Sequence, residues 1–252
     1  MKALITGASS GIGREMARYL AEQGWDLIVA ARSTGKLEAL RQELSGVNVR
    51  VITIDLSREQ DAYDLFEHLQ EEQIDFLINN AGFGAYGLFE DVPLETEMDL
   101  IHTNVCSVHI LTKLFLGDML SRGGGMILNV GSMAGFCAGP RMSSYYASKN
   151  YVVRLTQAVH EELRRKGGNV KISVLCPGPV DTNFNNTANV SFPMKGLDPK
   201  FVARYAIDKT MKGKMLIVPG FTMKAAKFFS HFLSEKALTR LSYGTQSKKS
   251  GN

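Results

Sequence analysis

The sequence has little of what marks secreted or membrane proteins. Its cysteines are few, odd in number and widely spaced, with no C-x-x-C pair, and they lie at Cys106, Cys137 and Cys176. We therefore expect small, reduced, buried side chains rather than disulfides. No apolar run reaches the roughly 18 residues that a membrane span needs. A strand-like run begins at Lys2, which leaves no room for a signal peptide. These absences predict a cytoplasmic protein without a membrane span.

Most of the chain also lacks an excess of positive charge. The net charge is +4 at pH 7, and the segment from Lys195 onward contains 12 Lys and Arg residues but only three acidic residues. No aromatic–basic interleaving and no nucleic-acid motif accompany this basic C-terminal segment. We therefore expect no nucleic-acid partner.

The basic segment contains an apolar stripe formed by Phe229, Phe232 and Leu233. A stripe at this spacing is typical of a helix that packs on its own domain or on a partner subunit, and we expect this role here, with a homo-oligomer as the assembly. A lid over an apolar substrate and peripheral contact with a membrane surface are the alternatives. The lysines beside the stripe are Lys224, Lys227 and Lys236.

Short apolar segments alternate with longer amphipathic ones along the chain. Several short segments are apolar without alternation, as strands covered on both faces are. Strand–helix alternation implies right-handed crossovers. We therefore predict an α/β fold with one Rossmann-like, doubly wound parallel sheet of about seven strands, within a single domain of residues 1–252. The predicted strands are Lys2–Thr6, Asp26–Ala30, Val49–Thr53, Phe76–Asn79, Met126–Val130, Ile172–Leu175 and Met215–Val218. The predicted helices are Ile12–Gln23, Lys36–Leu44, Glu59–Glu71, Glu97–Leu120 and Ser144–Arg165, with another from Asp198-Pro199 to near Lys212.

One connection, Asp181–Leu197, is long, has little periodicity and carries Phe184, Phe192 and Met194. Connections of this length are uncommon and often act as lids. It is predicted to be a substrate loop that becomes ordered over the site when substrate binds.

A glycine-rich turn, TGASSGIG, follows the first predicted strand and opens a helix at Ile12. Glycines let the backbone turn tightly and approach a pyrophosphate, and the helix start offers free N–H groups and a positive dipole end. A turn without a ligand is the alternative, but the strand–turn–helix context favours a dinucleotide. The predicted cofactor contacts in this turn are Thr6, Gly7, Ser9, Ser10, Gly11, Ile12 and Gly13.

Two later strand ends fit the same cleft. Asp55-Leu56 follows the third strand, where an acid can accept a hydrogen bond from an adenine amino group. Asn80-Ala81-Gly82 follows the fourth, where small residues let backbone and ribose approach. Each could be an ordinary strand-end turn. Both lie at carboxyl ends of parallel strands, where such sheets bind ligands.

The end of the second strand bears on the choice of cofactor. An acid there selects NAD, but this sequence has Arg32 and Ser33 instead. Arginine offers a planar, permanently charged fork that suits a 2′-phosphate, and serine adds a donor. We therefore predict NADP, with Arg14 as a second candidate partner of the phosphate. The alternative is that Arg32 points to solvent.

A serine, a tyrosine and a lysine follow the fifth predicted strand in an order that suits proton transfer. Ser132 lies at the strand end, and Tyr145 and Lys149 lie one turn apart on one helix face. A tyrosine normally ionises near pH ~10, and a neighbouring ammonium favours the phenolate and lowers that value. Ser132 can stabilise charge that develops on a substrate oxygen. Taken alone, the Tyr–Lys pair could be a surface pair on an amphipathic helix.

With Asn104 and the PGPVDT segment, these motifs resemble those of the short-chain dehydrogenases/reductases, in the common branch whose chains have about this length. The resemblance covers nearly the whole chain. It implies that Tyr145 is the general acid/base, that Lys149 binds the nicotinamide ribose and tunes Tyr145, and that Ser132 positions the carbonyl. Asn104 would hold a water in a proton relay. The nicotinamide side would be contacted by Pro177, Gly178, Val180 and Thr182.

The glycine turn departs from the commonest NADPH variant of that family, which has a basic residue where Ser10 stands. The expected reaction is reversible reduction of a ketone or aldehyde, and the aromatic substrate loop favours an apolar small molecule such as a ketoacyl chain or steroid-like ketone. A cofactor-binding regulatory or scaffolding protein without turnover, and a membrane-associated lipid reductase, are the alternatives. His102, Cys106 and His109 have helical spacing, but without an evident fourth ligand we expect no metal.

Overall fold

A parallel sheet of seven strands organises the chain and confirms the predicted Rossmann-like α/β fold. The computed structural model describes residues 1–182 and 196–247. The strands are β1 (Lys2–Thr6), β2 (Asp26–Ala31), β3 (Val49–Thr53), β4 (Phe76–Asn79), β5 (Gly125–Val130), β6 (Val170–Leu175) and β7 (Leu216–Ile217). Their spatial order is β3-β2-β1-β4-β5-β6-β7, with every neighbouring pair parallel. The order reverses at β1 and β4, so a crevice opens at the carboxyl ends of these strands.

Helices connect the strands in the described ranges. The α-helices are α1 (Gly11–Glu22), α2 (Thr34–Glu43), α3 (Glu59–Glu67), α4 (Leu94–Ile101), α5 (Ser107–Ser121), α6 (Ser143–Lys166), α7 (Pro199–Met211), α8 (Phe221–Ser230) and α9 (Glu235–Ser247). A π-helical turn, His102–Cys106, separates α4 from α5, and a 3₁₀ turn, Met133–Phe136, precedes α6.

The apolar side chains of the strands divide between the two faces of the sheet. Ile5 packs on the face covered by α1 and α7, whereas its neighbour Leu4 packs on the face covered by α3 and α5. On the second face Phe115 of α5 is 1% exposed. Successive residues of a strand point to opposite faces. Strands covered on both faces therefore have continuous apolar sequences, which is how they were predicted.

The prediction of one continuous helix over Glu97–Leu120 is wrong in detail. It begins at Leu94 and is interrupted by the π turn, which contains Asn104. A single wider turn leaves the apolar spacing nearly unchanged, so the sequence pattern does not show it. Such turns occur often at functional sites.

The predicted start of the late helix is confirmed. The Asp198 carboxylate accepts a hydrogen bond from the Lys200 amide at 3.0 Å, and Pro199 is the first helical residue. Proline suits this position because its missing N–H would have no helical partner there.

Most of the predicted substrate loop, residues 183–195, lies outside the described residues. This part includes Phe184, Phe192 and Met194, so the predicted lid stays a prediction. The described ends of the loop are joined, since Val180 and Leu197 form a parallel bridge and the Asp181 amide donates to the Leu197 carbonyl at 3.0 Å.

The described residues leave the C-terminal stripe uncovered. Phe229, Phe232 and Leu233 are exposed, and no residue of α8 is buried. Packing on the described part of the domain is therefore not observed, and packing on a partner subunit stays a prediction. Within residues 1–182 and 196–247, no helix has both the length and the apolar character needed to cross a membrane.

Candidate active site

A cavity of about 530 Å³ opens at the carboxyl ends of the strands. Its wall runs from the glycine turn after β1, past the ends of β2 to β6, to the first turns of α6. It therefore brings together segments that are far apart in the sequence. The predicted site residues that line it are Gly7, Ser9, Ser10, Gly11, Ile12, Arg32, Ser33, Asp55, Leu56, Asn80, Ala81, Gly82, Ser132, Tyr145, Lys149, Pro177, Gly178, Val180 and Thr182.

Two predicted cofactor residues, Thr6 and Gly13, do not line the cavity. The buried Thr6 hydroxyl accepts hydrogen bonds from the Asn80 and Ala81 amides at 3.0 and 3.1 Å. The Asn80 side chain donates to the Thr6 and Gly7 carbonyls, both at 3.1 Å. These bonds tie the glycine turn to the end of β4. Thr6 and Gly13 thus shape the turn from behind.

The glycine turn fits an anionic group. Gly7 has φ +67°, and a Cβ there would lie 2.8 Å from the Ala81 Cα, so a side chain is excluded on both grounds. Ser10, the N-cap of α1, makes no side-chain capping bond, and Gly11 and Ile12 line the cavity. The free N–H groups and positive dipole end of a helix start can therefore meet a phosphate here.

The wall at the end of β2 carries positive rather than negative charge. Arg32 and Ser33 line the cavity and are exposed, and Arg32 makes no ion pair with the described residues. Arg14, the second predicted phosphate partner, lies elsewhere. Its guanidinium pairs with Glu43 at 3.0 Å, and it does not line the cavity.

Ser132, Tyr145 and Lys149 come together on the opposite wall. Ser132 caps the 3₁₀ turn, where its hydroxyl accepts from the Ala134 amide at 3.1 Å, and it also hydrogen-bonds to the Tyr145 side chain. The Lys149 ammonium lies 5.9 Å from the centre of the Tyr145 ring and donates to the Val130 carbonyl at 2.9 Å. This places a hydroxyl donor, a phenol and a cation beside one cavity.

Burial dominates the titration of this group. It raises the pKa of Tyr145 to about 12, although the hydrogen bond with Ser132 lowers that pKa in part. Burial also lowers the pKa of Lys149 to about 8. This direction is opposite to the lowering predicted from the Lys149 charge, because the loss of hydration disfavours the phenolate. The effect of Lys149 on Tyr145 stays a prediction.

We expect Lys149→Met to raise the thermal stability of the protein at neutral pH. Below pH 8 the lysine is charged in both the folded and unfolded chain, and its burial makes the folded charge costly. As the pH rises from 8 towards the usual pKa of 10.5, the folded chain releases this proton first, so the advantage of methionine should shrink.

The measurement is the Tm of both proteins at neutral pH and near pH ~10. Lys113→Met is the matched control, because Lys113 is exposed on α5. A Tm for Lys149→Met at or below that of the wild type at neutral pH would contradict the expectation.

Asn104 lies behind the cavity wall. It is fully buried in the π turn; its amide donates to the Phe83 carbonyl at 2.9 Å and to the Ser148 hydroxyl at 3.0 Å, and its oxygen accepts from the Phe83 amide at 3.1 Å. These bonds join the segment after β4 to α6, the helix of Tyr145 and Lys149. The predicted contact of Asn104 with a relay water stays a prediction.

The outer wall of the cavity was not among the predicted site residues. Phe83, Met142 and Tyr146 line it. The Tyr146 hydroxyl hydrogen-bonds to the side chain of the buried Gln246. The Gln246 backbone carbonyl accepts a hydrogen bond from the Tyr86 hydroxyl at 3.1 Å. Helix α9 therefore lies against the outer wall of the cavity. No local sequence signal links residue 246 to residue 146.

The helical residues considered as metal ligands separate in the structure. His102 and Cys106 lie near Glu59, with one ligand atom from each within 4.8 Å of the others. His109 instead hydrogen-bonds to the Tyr151 hydroxyl at 2.7 Å. Burial and the charge of Glu59 raise the pKa of the Cys106 thiol, which disfavours the thiolate that a metal needs. The expectation of no metal stays a prediction.

The chain is similar to known proteins over most of its length. The family model for short chain dehydrogenases matches residues 1–191. The very-long-chain 3-oxoacyl-CoA reductase of Anas platyrhynchos is 34% identical over 198 residues, which cover 75% of this chain and 63% of that protein. The chain thus spans less than two thirds of the length of this relative.

Two solved structures have the same fold. A short-chain dehydrogenase/reductase from Burkholderia phymatum in complex with NAD has a TM-score of 0.83 and 27% identity, covering 92% of each chain. A short-chain dehydrogenase from Sphingobium yanoikuyae in complex with NADPH has a TM-score of 0.82 and 29% identity, covering 93% of this chain and 96% of the other. Because the family match extends over three quarters of the chain and the sheet agrees with it, the chain belongs to the short-chain dehydrogenase family.

Proposed function

We propose that this chain is an NADP(H)-dependent oxidoreductase that interconverts a carbonyl and an alcohol. The observation that carries the proposal is the hydrogen-bonded pair of Ser132 and Tyr145, with Lys149 one turn away, on a cavity shared with the glycine turn. The bound nicotinamide supplies the hydride in reduction and accepts it in oxidation. The residues of this chain supply position, proton and charge.

Tyr145 is the proton donor in reduction. Its pKa of about 12 keeps the hydroxyl protonated at neutral pH, and the proton passes from its oxygen to the substrate oxygen as the carbonyl becomes an alcohol. Ser132 donates a hydrogen bond to the same oxygen and stabilises the charge that develops there. A proton then returns to Tyr145 through the relay proposed for Asn104 and its water.

Lys149 has two proposed roles. It contacts the nicotinamide ribose and stabilises the phenolate that remains on Tyr145 after proton transfer, because an ammonium favours a nearby anion. Its cost to folding, expected from its burial, is typical of a group retained for function rather than for stability. Pro177, Gly178, Val180 and Thr182 line the cavity, which supports their proposed contact with the nicotinamide.

The preference for NADP rests on Arg32 and Ser33. Similar structures hold NAD or NADPH, so family membership supports a nicotinamide cofactor without choosing between them. The cavity wall at the end of β2 presents an exposed arginine where an acid would favour NAD. A permanently charged planar donor suits a phosphate.

We propose an apolar ketone as the substrate, either a ketoacyl chain or a steroid-like ketone. Phe83, Met142 and Tyr146 give the cavity an apolar wall near Tyr145. The relative from Anas platyrhynchos is a very-long-chain 3-oxoacyl-CoA reductase, and a human relative, 35% identical, is a 17-beta-hydroxysteroid dehydrogenase, so the relatives support both classes. Apolar walls with a few placed polar groups are typical of such sites.

The three cysteines support a reducing compartment such as the cytoplasm. Cys106, Cys137 and Cys176 are all free, as expected where disulfides are not maintained, although only Cys176 is fully buried and the expected burial is wrong for the other two. The homo-oligomer expected from the sequence stays a prediction.

The test is the loss of NADPH absorbance with ketones of increasing apolar size. We expect 3-oxoacyl thioesters and steroid ketones to be reduced faster than acetone at equal concentration. A chain that binds NADPH, as followed by its fluorescence, but reduces none of these compounds would be a cofactor-binding protein without turnover. A preference for acetone would contradict the proposed apolar substrate but not the proposed reaction.

A further inference from the structure

The outer face of α8 and the turn after it is strongly apolar. Phe228, Phe229 and Phe232 are 60%, 64% and 73% exposed. The Phe228 ring packs edge-on against Phe229 at 5.5 Å and against Phe232 at 5.3 Å between ring centres. These three rings, here named the aromatic face, therefore form one contiguous exposed surface. Clusters of this kind mark interaction sites far more often than single exposed apolar residues do.

The opposite side of α8 attaches the helix to the domain. Met223 packs in the apolar cluster that contains Val218 and lies against Gly178. The Lys227 ammonium lies 4.6 Å from the centre of the Phe136 ring, and that of Lys224 lies 5.4 Å from the centre of the Tyr205 ring. Met223 and the partly buried Lys227 therefore anchor the helix, whereas Lys224 stays exposed beside the aromatic face, which points away from the core.

Charge indicates what covers the aromatic face. Over residues 221–247 the exposed cations are Lys224, Lys236 and Arg240, and the acid is Glu235. A second copy of the chain on this face would bring these cations against one another. An anionic lipid surface would pair with them while the rings enter the apolar layer.

We propose that the aromatic face docks the protein on an anionic lipid bilayer. Phenylalanine rings bury their apolar area at the boundary between headgroups and acyl chains, and flanking lysines keep their charges among the headgroups. Each cation near an anionic surface adds to the attraction, which salt screens. The contact is peripheral, through a short amphipathic helix that lies on the surface.

The position of α8 connects this surface to the cavity. Met223 lies against Gly178, which lines the cavity, so docking brings the wall beyond Gly178 close to the lipid surface. Entry of an apolar ketone from the bilayer would follow, and this consequence rests on the function proposed above. The docking itself does not depend on it.

The test is cosedimentation of the full chain with vesicles of phosphatidylglycerol and phosphatidylcholine, and with vesicles of phosphatidylcholine alone. We expect binding to the mixed vesicles that weakens with added salt, and little binding to the neutral ones. The triple variant Phe228→Ser, Phe229→Ser, Phe232→Ser should lower the partition coefficient at least about tenfold. Lys224→Gln with Lys236→Gln should weaken binding to the mixed vesicles alone.

Tyr63→Ser, an exposed aromatic position on α3, is the matched control and should bind as the wild type does. Circular dichroism and Tm show whether each variant folds. If the triple variant does not fold, Phe232→Ser alone replaces it in the test. The proposal is overturned if the wild type stays in the supernatant or if folded aromatic variants bind unchanged. It is also overturned if the wild type binds no vesicles and size-exclusion chromatography shows it as a dimer while the triple variant is a monomer. The aromatic face would then be a subunit contact.

Discussion

Tyr145→Phe is expected to lower the rate of carbonyl reduction by a factor of about 10² to 10⁴ and to leave NADPH affinity nearly unchanged. The substitution removes the transferable proton and retains the ring that lines the cavity. Steady-state rates with NADPH and binding followed by cofactor fluorescence measure the two effects separately. A variant that keeps most of its activity would remove Tyr145 from the mechanism.

Tyr146→Phe is the matched control, because it makes the same change one residue away on the same cavity wall. The Tyr146 hydroxyl bonds to the Gln246 side chain rather than to Ser132, so we expect a loss of less than about tenfold, as for a single neutral hydrogen bond. Losses of equal size in the two variants would indicate damage to the cavity wall and not the loss of a specific proton.

The pH dependence provides a second readout for Tyr145. Burial raises its pKa to about 12, so reduction, which uses the protonated hydroxyl, should vary little across neutral pH. Oxidation of the alcohol needs the phenolate as a base and should therefore rise with pH over the same range. A reduction rate that falls steeply between pH ~6 and ~8 would point to a different acid.

Arg32→Asp is expected to reverse the choice of cofactor. The wild type should prefer NADPH over NADH by at least about tenfold in kcat/KM, because a charge-assisted contact to the 2′-phosphate contributes roughly 1.5–3 kcal/mol. Arg32 is exposed on the cavity wall, so this contact is partly open to solvent and the preference should weaken with added salt. Aspartate would repel the phosphate and accept from ribose hydroxyls.

Arg41→Asp is the matched control for charge. Arg41 lies on α2, pairs with Glu38 at 2.7 Å and does not line the cavity. It changes the net charge as much as Arg32→Asp does, so the cofactor preference should stay within about twofold of the wild type, as expected for a screened surface charge. Equal use of NADPH and NADH by the wild type would refute the role of Arg32.

Much of the fold could be predicted because the central strands are covered on both faces. Leu4 and Ile5 meet opposite layers of helices, which requires short continuous apolar segments between longer amphipathic ones. The glycine turn and the Tyr145–Lys149 spacing are also local patterns, and their local geometry follows from strand and helix periodicity. The π turn at Asn104 was missed because one extra residue in a turn barely changes that periodicity.

By itself the sequence determined the alternation of strands and helices, the turn that fits a phosphate, and the positions of Ser132, Tyr145 and Lys149 at strand and helix ends. All of these depend on neighbours within one turn of helix or one strand. The tertiary structure decided that Arg14 pairs with Glu43 rather than lining the cavity, that Gln246 closes on Tyr146, and that Phe228 and its neighbours remain exposed. It also decided the pKa values of Tyr145 and Lys149. Burial and pairing between distant residues depend on how the layers pack, and no local pattern in the chain records that packing.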